Sequence, residues 1–224
     1  MRLLLNIGYQ KTGSKSRQKF FDKQLYRLKN TRAVYPLAGR TGILHLDLYL
    51  ALQQNDRDSY NNIIHHLLEE TKDADIAILS HERLYEMTEP KISALKAAFS
   101  DITAVLYLRR QDQVIDSMWN QYHKSHRITW KRLKNFENSL QEYNPILNYK
   151  DTIRRWQNVL GTSNLVTILY DRQRSPAIDF FRCLGIDVDT TNYSEPKTNL
   201  AINRRGLSVL RWIKKGLQGK MSMN

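Results

Sequence analysis

Leu3-Leu4-Leu5-Asn6-Ile7-Gly8-Tyr9-Gln10-Lys11-Thr12-Gly13-Ser14-Lys15-Ser16 is the stretch that decides the fold. A short apolar run breaks at a glycine, passes through small, hydroxylated and basic residues, and then becomes helical in pattern: strand, loop, helix. A tight loop feeding a helix N-terminus points several unpaired backbone N–H groups at one place, and the helix dipole adds positive potential there. Gly8 and Gly13 let the backbone turn and approach a ligand closely. Lys11 and Lys15 supply charge, and Thr12, Ser14 and Ser16 add hydroxyl donors. The segment reads as a site for a phosphate or sulfate group.

A Walker A loop needs a lysine directly after its second glycine, as GxxxxGK(S/T). Gly8 and Gly13 have that spacing, but Ser14 stands before Lys15-Ser16. Moving a lysine one place along a helix rotates it by about 100°. Lys11, ahead of the second glycine, is then the better placed cation.

Outward from this loop, strand and helix patterns alternate. The patterns predict strands at Arg2 to Ile7, Ala33 to Tyr35, Ile76 to Leu79, Thr103 to Leu108 and Leu165 to Tyr170. Between them lie helical patterns at Ser14 to Lys29, Leu44 to Gln54, Ser59 to Lys72, Glu89 to Phe99, Gln111 to Lys124 and Tyr149 to Leu160. A helix framed by Pro176 and Gly185 carries Cys183 inside its apolar pattern, and another runs from Leu207 to Lys215. Such alternation predicts the α/β class, a single three-layer domain over residues 1–224 with a central parallel sheet. Residues 122–149 have no strand pattern and read as a helical insertion, aromatic and basic around Trp130, Phe136 and Tyr143, that lines a cleft or forms a solvated face.

Polar residues gather where two of the predicted strands end. Ser80-His81-Glu82-Arg83 follows the strand ending at Leu79, and Arg109-Arg110 follows the one ending at Leu108. In open parallel sheets ligands sit at those carboxyl ends. The alternatives are a helix cap at Ser80 and a solvated arginine pair.

Lys11 to Gln18, K-T-G-S-K-S-x-Q, resembles the loop of the sulfotransferases that use 3′-phosphoadenosine-5′-phosphosulfate (PAPS), written KTGTTSxQ in bacterial members. Tyr107 to Gln121, YLRRQDxxxDSxxNQ, is similar to the same family's 3′-phosphate element, an arginine at a strand end and a serine eight positions later. The resemblance implies a P-loop-NTPase-like sulfotransferase fold and transfer of a sulfuryl group from PAPS to a hydroxyl of a glycan or other carbohydrate-containing acceptor. Adenosine-3′,5′-bisphosphate is the product it implies. By position, Lys11 meets the bridging oxygen and stabilises the leaving phosphate, while Thr12, Gly13, Ser14 and Ser16 cradle the 5′-phosphate. Lys15, in the same cradle, stands where the family has a threonine. Arg109 and Ser117 hold the 3′-phosphate. Glu82, with His81 beside it, falls where related enzymes hold the base that deprotonates the acceptor, and His45 falls near the acceptor. Arg204-Arg205-Gly206 is similar to a further 3′-phosphate turn, with Arg205 its candidate contact.

The charge is consistent with such a ligand. Lysines and arginines number 35 against 22 acidic residues, a net +13. A chain so basic seeks polyanions: PAPS and an acidic acceptor, an anionic membrane surface, or nucleic acid. A phosphoryl-transferring P-loop kinase and a basic nucleic-acid-binding protein are the competing readings. The single cysteine, Cys183, excludes an intrachain disulfide, and no HExxH or CxxC spacing calls for a metal. No apolar run approaches the ~20 residues of a membrane span, so the sequence reads as soluble and cytoplasmic.

Overall fold

The computed structural model describes residues 1–124, 147–195, 208–210 and 212–213. Residues 125–146 of the insertion-like segment, with Trp130, Phe136 and Tyr143, the Arg204-Arg205-Gly206 turn, and residues 207, 211, 214 and 215 of the last predicted helix lie outside these residues. The chain falls into two compact units, residues 1–109 with 149–196 and residues 110–148 with 197–224.

The first unit is α/β. Five strands, β1 (Arg2–Asn6), β2 (Ala33–Val34), β3 (Ile76–Ser80), β4 (Ile102–Leu108) and β5 (Leu165–Leu169), pair in parallel in the order β2-β3-β1-β4-β5. The central strands are continuous apolar runs because both faces of the sheet are covered; Leu4, Ile78 and Leu106 have no accessible surface. The helices of this unit are α1 (Ser14–Lys23), α2 (Leu46–Gln54), α3 (Arg57–Thr71) and α4 (Glu89–Ala98). Helix α5 (Gln111–Lys124) belongs to the second unit, and α6 (Tyr149–Leu160) and α7 (Pro176–Arg182) complete the first.

Helices α1 and α7 pack against each other on the sheet. Phe20 and Phe21 of α1 and Phe180 and Phe181 of α7 interleave over Leu4, Ile78 and Val105. Each buried phenylalanine stabilises the fold by about 1.5–3 kcal/mol, so the helix that follows the loop is fixed by its own apolar face. Helix α6 packs on α4 and against β4 and β5, and its Trp156 and Leu160 are buried. In the second unit, Val114 and Met118 of α5 cluster with Trp119 and Leu147.

The register ends β1 and β3 together, while β4 runs on to Leu108. Asn6 stands opposite Ser80 on one side and Val105 on the other. The chain goes from β1 to the β2–β3 side of the sheet and only afterwards to the β4–β5 side, so the loop after β1 lies at a topological switch point.

Most predicted boundaries shift by a residue or two, and three differences have a clear local reason. The first helix stops at Lys23 and gives way to a 3-10 turn over Leu25–Arg27, because Leu28 is drawn into the core to bridge Val188. Helix α3 starts at Arg57 because the Asp56 carboxylate caps the Ser59 N–H. Cys183 is the exposed C-cap residue of α7, not an interior position, since the helix ends at Arg182 and Gly185 turns the chain at φ 72°. No helix among the described residues is long and apolar enough to cross a membrane.

Candidate active site

The loop between β1 and α1 turns twice into the left-handed region, at Lys11 (φ 65°) and at Gly13 (φ 78°), the N-cap of α1. Gly13 has no side chain to cap the helix, so among the first-turn N–H groups those of Ser14 and Lys15 are left for another acceptor, while that of Ser16 donates to the Gly13 carbonyl at 3.1 Å. Its missing Cβ serves the fold as well: a carbon there would sit 2.7 Å from Cγ of Pro176. Gly8 is small for a different reason, since a Cβ on it would meet the Arg17 guanidinium at 2.9 Å.

The loop is held from inside. Thr12 is fully buried and its hydroxyl donates to the Tyr9 carbonyl at 2.6 Å. Tyr9 is buried between Tyr85 (4.2 Å between ring centroids) and Tyr149 (4.7 Å), and its hydroxyl donates to Thr152 on α6. Burial pushes that phenol up to about 12, which keeps it a neutral donor.

Arg17, at the variable position of the K-T-G-S-K-S-x-Q stretch, turns under the loop and has no accessible surface. Its Nε donates to Asn6 at 3.1 Å, and the terminal nitrogens donate to the Thr12 carbonyl (2.5 Å), the Thr12 hydroxyl (3.4 Å) and the Ser14 hydroxyl (3.3 Å). The guanidinium also lies 3.8 Å from the centre of the Tyr107 ring. Burial lowers its pKa to about 10, so it is charged at neutral pH.

Arg109, at the end of β4, is brought to the loop itself. One terminal nitrogen donates to the Lys11 carbonyl at 2.6 Å, its guanidinium lies 5.3 Å from the Tyr170 ring centre, and its own carbonyl accepts from the Tyr149 hydroxyl at 2.5 Å. Ser117 lies on α5, in the second unit. Lys15 is solvent-exposed on the first turn of α1.

Ser80, the last residue of β3, ties the loop to the polar cluster. Its hydroxyl accepts from Asn6 (2.7 Å) and from Gln18 of α1 (3.1 Å), its carbonyl accepts from the His45 N–H (3.0 Å), and its N–H donates to His45 Nδ1 (3.2 Å). The end of β3 is thereby fixed relative to the loop, and His81-Glu82 follows directly.

Both histidines here are neutral. His45 is fully buried; burial, and then the charge of Arg40, lower its pKa to about 3. His81 stacks on Tyr49 (4.5 Å between centroids), and burial followed by the charge of Arg83 lowers it to about 4. Its Nδ1 accepts from the Arg83 N–H at 3.3 Å. In both rings the accepting nitrogen is taken by backbone, which leaves the proton on Nε2 and no lone pair for base work. His45 therefore braces the sheet end with no surface to offer an acceptor, and Glu82 is the half-exposed carboxylate left beside it.

Some of the site was not singled out from the sequence. Arg17 had a signal, because it shares the helical face of Phe20 and Phe21 (i, i+3, i+4), where a charge is out of place unless it has a task. Tyr170 and Glu195 had none, since they reach the loop only through tertiary packing, and the anchoring of Tyr9, within the loop, rests on its distant partners Tyr85, Tyr149 and Thr152. Glu195 accepts from the hydroxyls of Ser16, Ser175 and Tyr193, so the loop already holds an anionic group of its own chain. No group of three or more His, Cys, Asp or Glu among the described residues is arranged to hold a metal.

No family model matches the chain, and no curated protein does. Among solved structures, a sulfotransferase from Alicyclobacillus acidocaldarius aligns over 96% of this chain and 92% of its own, with 15% identity and a TM-score of 0.47.

Proposed function

We propose that the protein is a sulfotransferase that moves a sulfuryl group from PAPS to a hydroxyl of a carbohydrate-containing, acidic acceptor. The observation that carries this reading is the uncapped loop at the switch point of the sheet. It combines two left-handed turns, a lysine at the first of them, and the strand-end arginine bonded to that lysine's carbonyl. The residues fit the group: Ser16 already donates to a carboxylate, and the first turn of α1 favours negative charge.

Lys11, Gly13, Ser14, Ser16 and the loop backbone would hold the 5′-phosphosulfate, with the exposed Lys15 adding charge at the rim and Thr12 shaping the loop from within. Arg109 would hold the 3′-phosphate, and Ser117 is the further contact that the family resemblance implies. Bound there, PAPS supplies an activated sulfuryl group. Glu82 takes the proton of the acceptor hydroxyl, in preference to His81, whose ring nitrogens are a committed acceptor and a donor. Lys11 and the first-turn N–H groups stabilise the charge developing on the departing phosphate. The net +13 favours approach of an anionic acceptor.

The test is thermal stabilisation and calorimetric binding with adenosine-3′,5′-bisphosphate against ATP. The bisphosphate is expected to stabilise strongly and ATP far less. Lys11→Ala and Arg109→Ala should each weaken binding by about tenfold or more, and Glu82→Gln should spare binding while abolishing turnover. Equal shifts by both nucleotides, or none, would overturn the proposal. Magnesium-dependent ATP binding would point to a kinase, and salt-steep nucleic-acid binding indifferent to nucleotide would point to a nucleic-acid-binding protein.

A further inference from the structure

Among the described residues, Arg17 is a fully buried cation with no ion pair, and its hydrogen bonds there go to neutral acceptors. Among the described residues, the ion pairs lie elsewhere. Glu195 and Glu82 act on Arg17 only through space. Taking a guanidinium out of water without an opposite charge costs several kcal/mol even after relaxation. Hydrogen bonds to carbonyl, amide and hydroxyl oxygens, with the face of Tyr107, offset part of this. The remainder is a standing demand for negative charge directly beneath the loop.

The bonds run to the residues that shape the loop. Arg17 grips the carbonyl and hydroxyl of Thr12, the residue between the two left-handed turns, and the hydroxyl of Ser14, the first residue of α1. Gly8 is bare where the guanidinium passes. A planar fork with separated donors can hold a carbonyl, two hydroxyls and an amide at once, whereas an ammonium cannot reach all four.

We infer that Arg17 is the positioning residue of the anion site. It fixes the loop from beneath, and the phosphate of the bound nucleotide, on the other side of the loop, supplies its missing counter-charge. This rests on the proposal that the loop binds a nucleotide phosphate, and it deepens that proposal by making affinity depend on a residue with no surface. The consequence is selective: changing Arg17 lowers affinity for phosphate-bearing ligands beyond any loss of fold.

The experiment titrates wild type, Arg17→Lys and Arg17→Met with adenosine-3′,5′-bisphosphate, ATP and inorganic phosphate by calorimetry, with urea unfolding in parallel. Arg17→Lys should bind the bisphosphate about tenfold more weakly and Arg17→Met about a hundredfold, for the folded fraction. Added guanidinium should restore binding to Arg17→Ala and leave wild type unchanged. Should Arg17→Met fail to fold, Arg17→Lys, which keeps the charge and loses the fork, carries the comparison. Variants that lose stability but bind as wild type does would overturn the inference and leave the sulfotransferase proposal standing. A wild type that prefers ATP would overturn the sulfotransferase proposal instead, and the same variants measured on ATP would then decide the role of Arg17. A wild type that binds none of the three probes would overturn both.

Discussion

Replacing Gly8 by alanine tests whether Arg17 holds the loop. The backbone of Gly8 is outside the left-handed region, so the added methyl brings no strain of its own. It does bring a collision: the new carbon falls 2.9 Å from the terminal nitrogen of Arg17, with Thr12 Oγ1 at 3.5 Å and Asn6 Oδ1 at 3.6 Å. An ordinary contact needs about 3.5 Å, so the guanidinium must withdraw by roughly half an ångström. The same nitrogen reaches the hydroxyls of Thr12 and Ser14 at 3.4 and 3.3 Å, the limit of useful hydrogen bonding, and a withdrawal of that size releases both. Overpacking of this kind costs about 1–3 kcal/mol, partly offset by the ~0.4–1 kcal/mol gained when a glycine leaves the unfolded chain. A net loss of about 1–2 kcal/mol lowers Tm by about 2–8 °C for a chain of this length. The assay is a double-mutant cycle in urea: wild type, Gly8→Ala, Arg17→Met and the pair. With the fork gone the methyl has room, so the cost of Gly8→Ala should vanish in the Arg17→Met background. If the two changes add to within about 0.5 kcal/mol, the collision is not the cause and the account of Arg17 as the brace of the loop is refuted.

Lys11→Gly removes a left-handed non-glycine residue and should raise stability by about 0.5–1 kcal/mol while abolishing nucleotide binding; urea titration with and without adenosine-3′,5′-bisphosphate reads both. Glu195→Gln withdraws the carboxylate from Ser16 and from the field of Arg17, so the bisphosphate should bind roughly three- to tenfold more tightly, as ~1 kcal/mol of competition implies. The buried histidines set a pH limit. Both His45 and His81 have folded pKa values, about 3 and about 4, below the ordinary 6.5. Below that pH the unfolded chain takes protons that the folded chain refuses, so their stabilisation is complete above pH ~6.5 and is lost as the pH falls toward 4 and then 3. Each contributes a slope of about 1.4 kcal/mol per pH unit. Unfolding free energies measured from pH 6 to 5 should halve their pH slope in His45→Gln; an unchanged slope would place that proton demand elsewhere.

The α/β class was legible because it is written in local pattern. Runs such as Ile102 to Leu108 are apolar without alternation, which only a strand covered on both faces needs. Helix Tyr149–Leu160 was found to the residue because its stripe of Thr152, Trp156 and Leu160 recurs at helical spacing. The strand, loop and helix around Gly13 were legible for the same kind of reason, and the glycines, hydroxyls and lysines before the helix are what make the loop a candidate anion site. The division of labour inside it was not legible. Thr12 reads as a ligand contact by type, yet its hydroxyl is spent on the Tyr9 carbonyl. The bare position of Gly8 admits Arg17, with no sign of it in neighbouring residues. Pattern favours Glu82 as the candidate base and the ordinary pKa favours His81, and only the tertiary structure shows His81 stacked on Tyr49 with its Nδ1 accepting from the Arg83 N–H. Such roles depend on contacts between residues far apart in sequence, which composition and periodicity do not encode.

The strained residue and its supports belong to one device. A lysine in the left-handed region costs about 1–2 kcal/mol relative to its relaxed backbone, and such a conformation persists only where its surroundings leave no alternative. Around Lys11 they come from three directions. Arg109 holds its carbonyl from the end of β4, Arg17 holds the next carbonyl from beneath, and Thr12 closes the turn back onto Tyr9, itself bonded to α6. Removing any one support leaves two, so single changes should loosen the loop by steps. The cost is borne in the free protein, before any ligand arrives. Once Lys11 is held out of its preferred conformation, the phosphate of the proposed ligand would need no further ordering of its backbone, so affinity at the proposed site would come from preorganisation, not from added contacts.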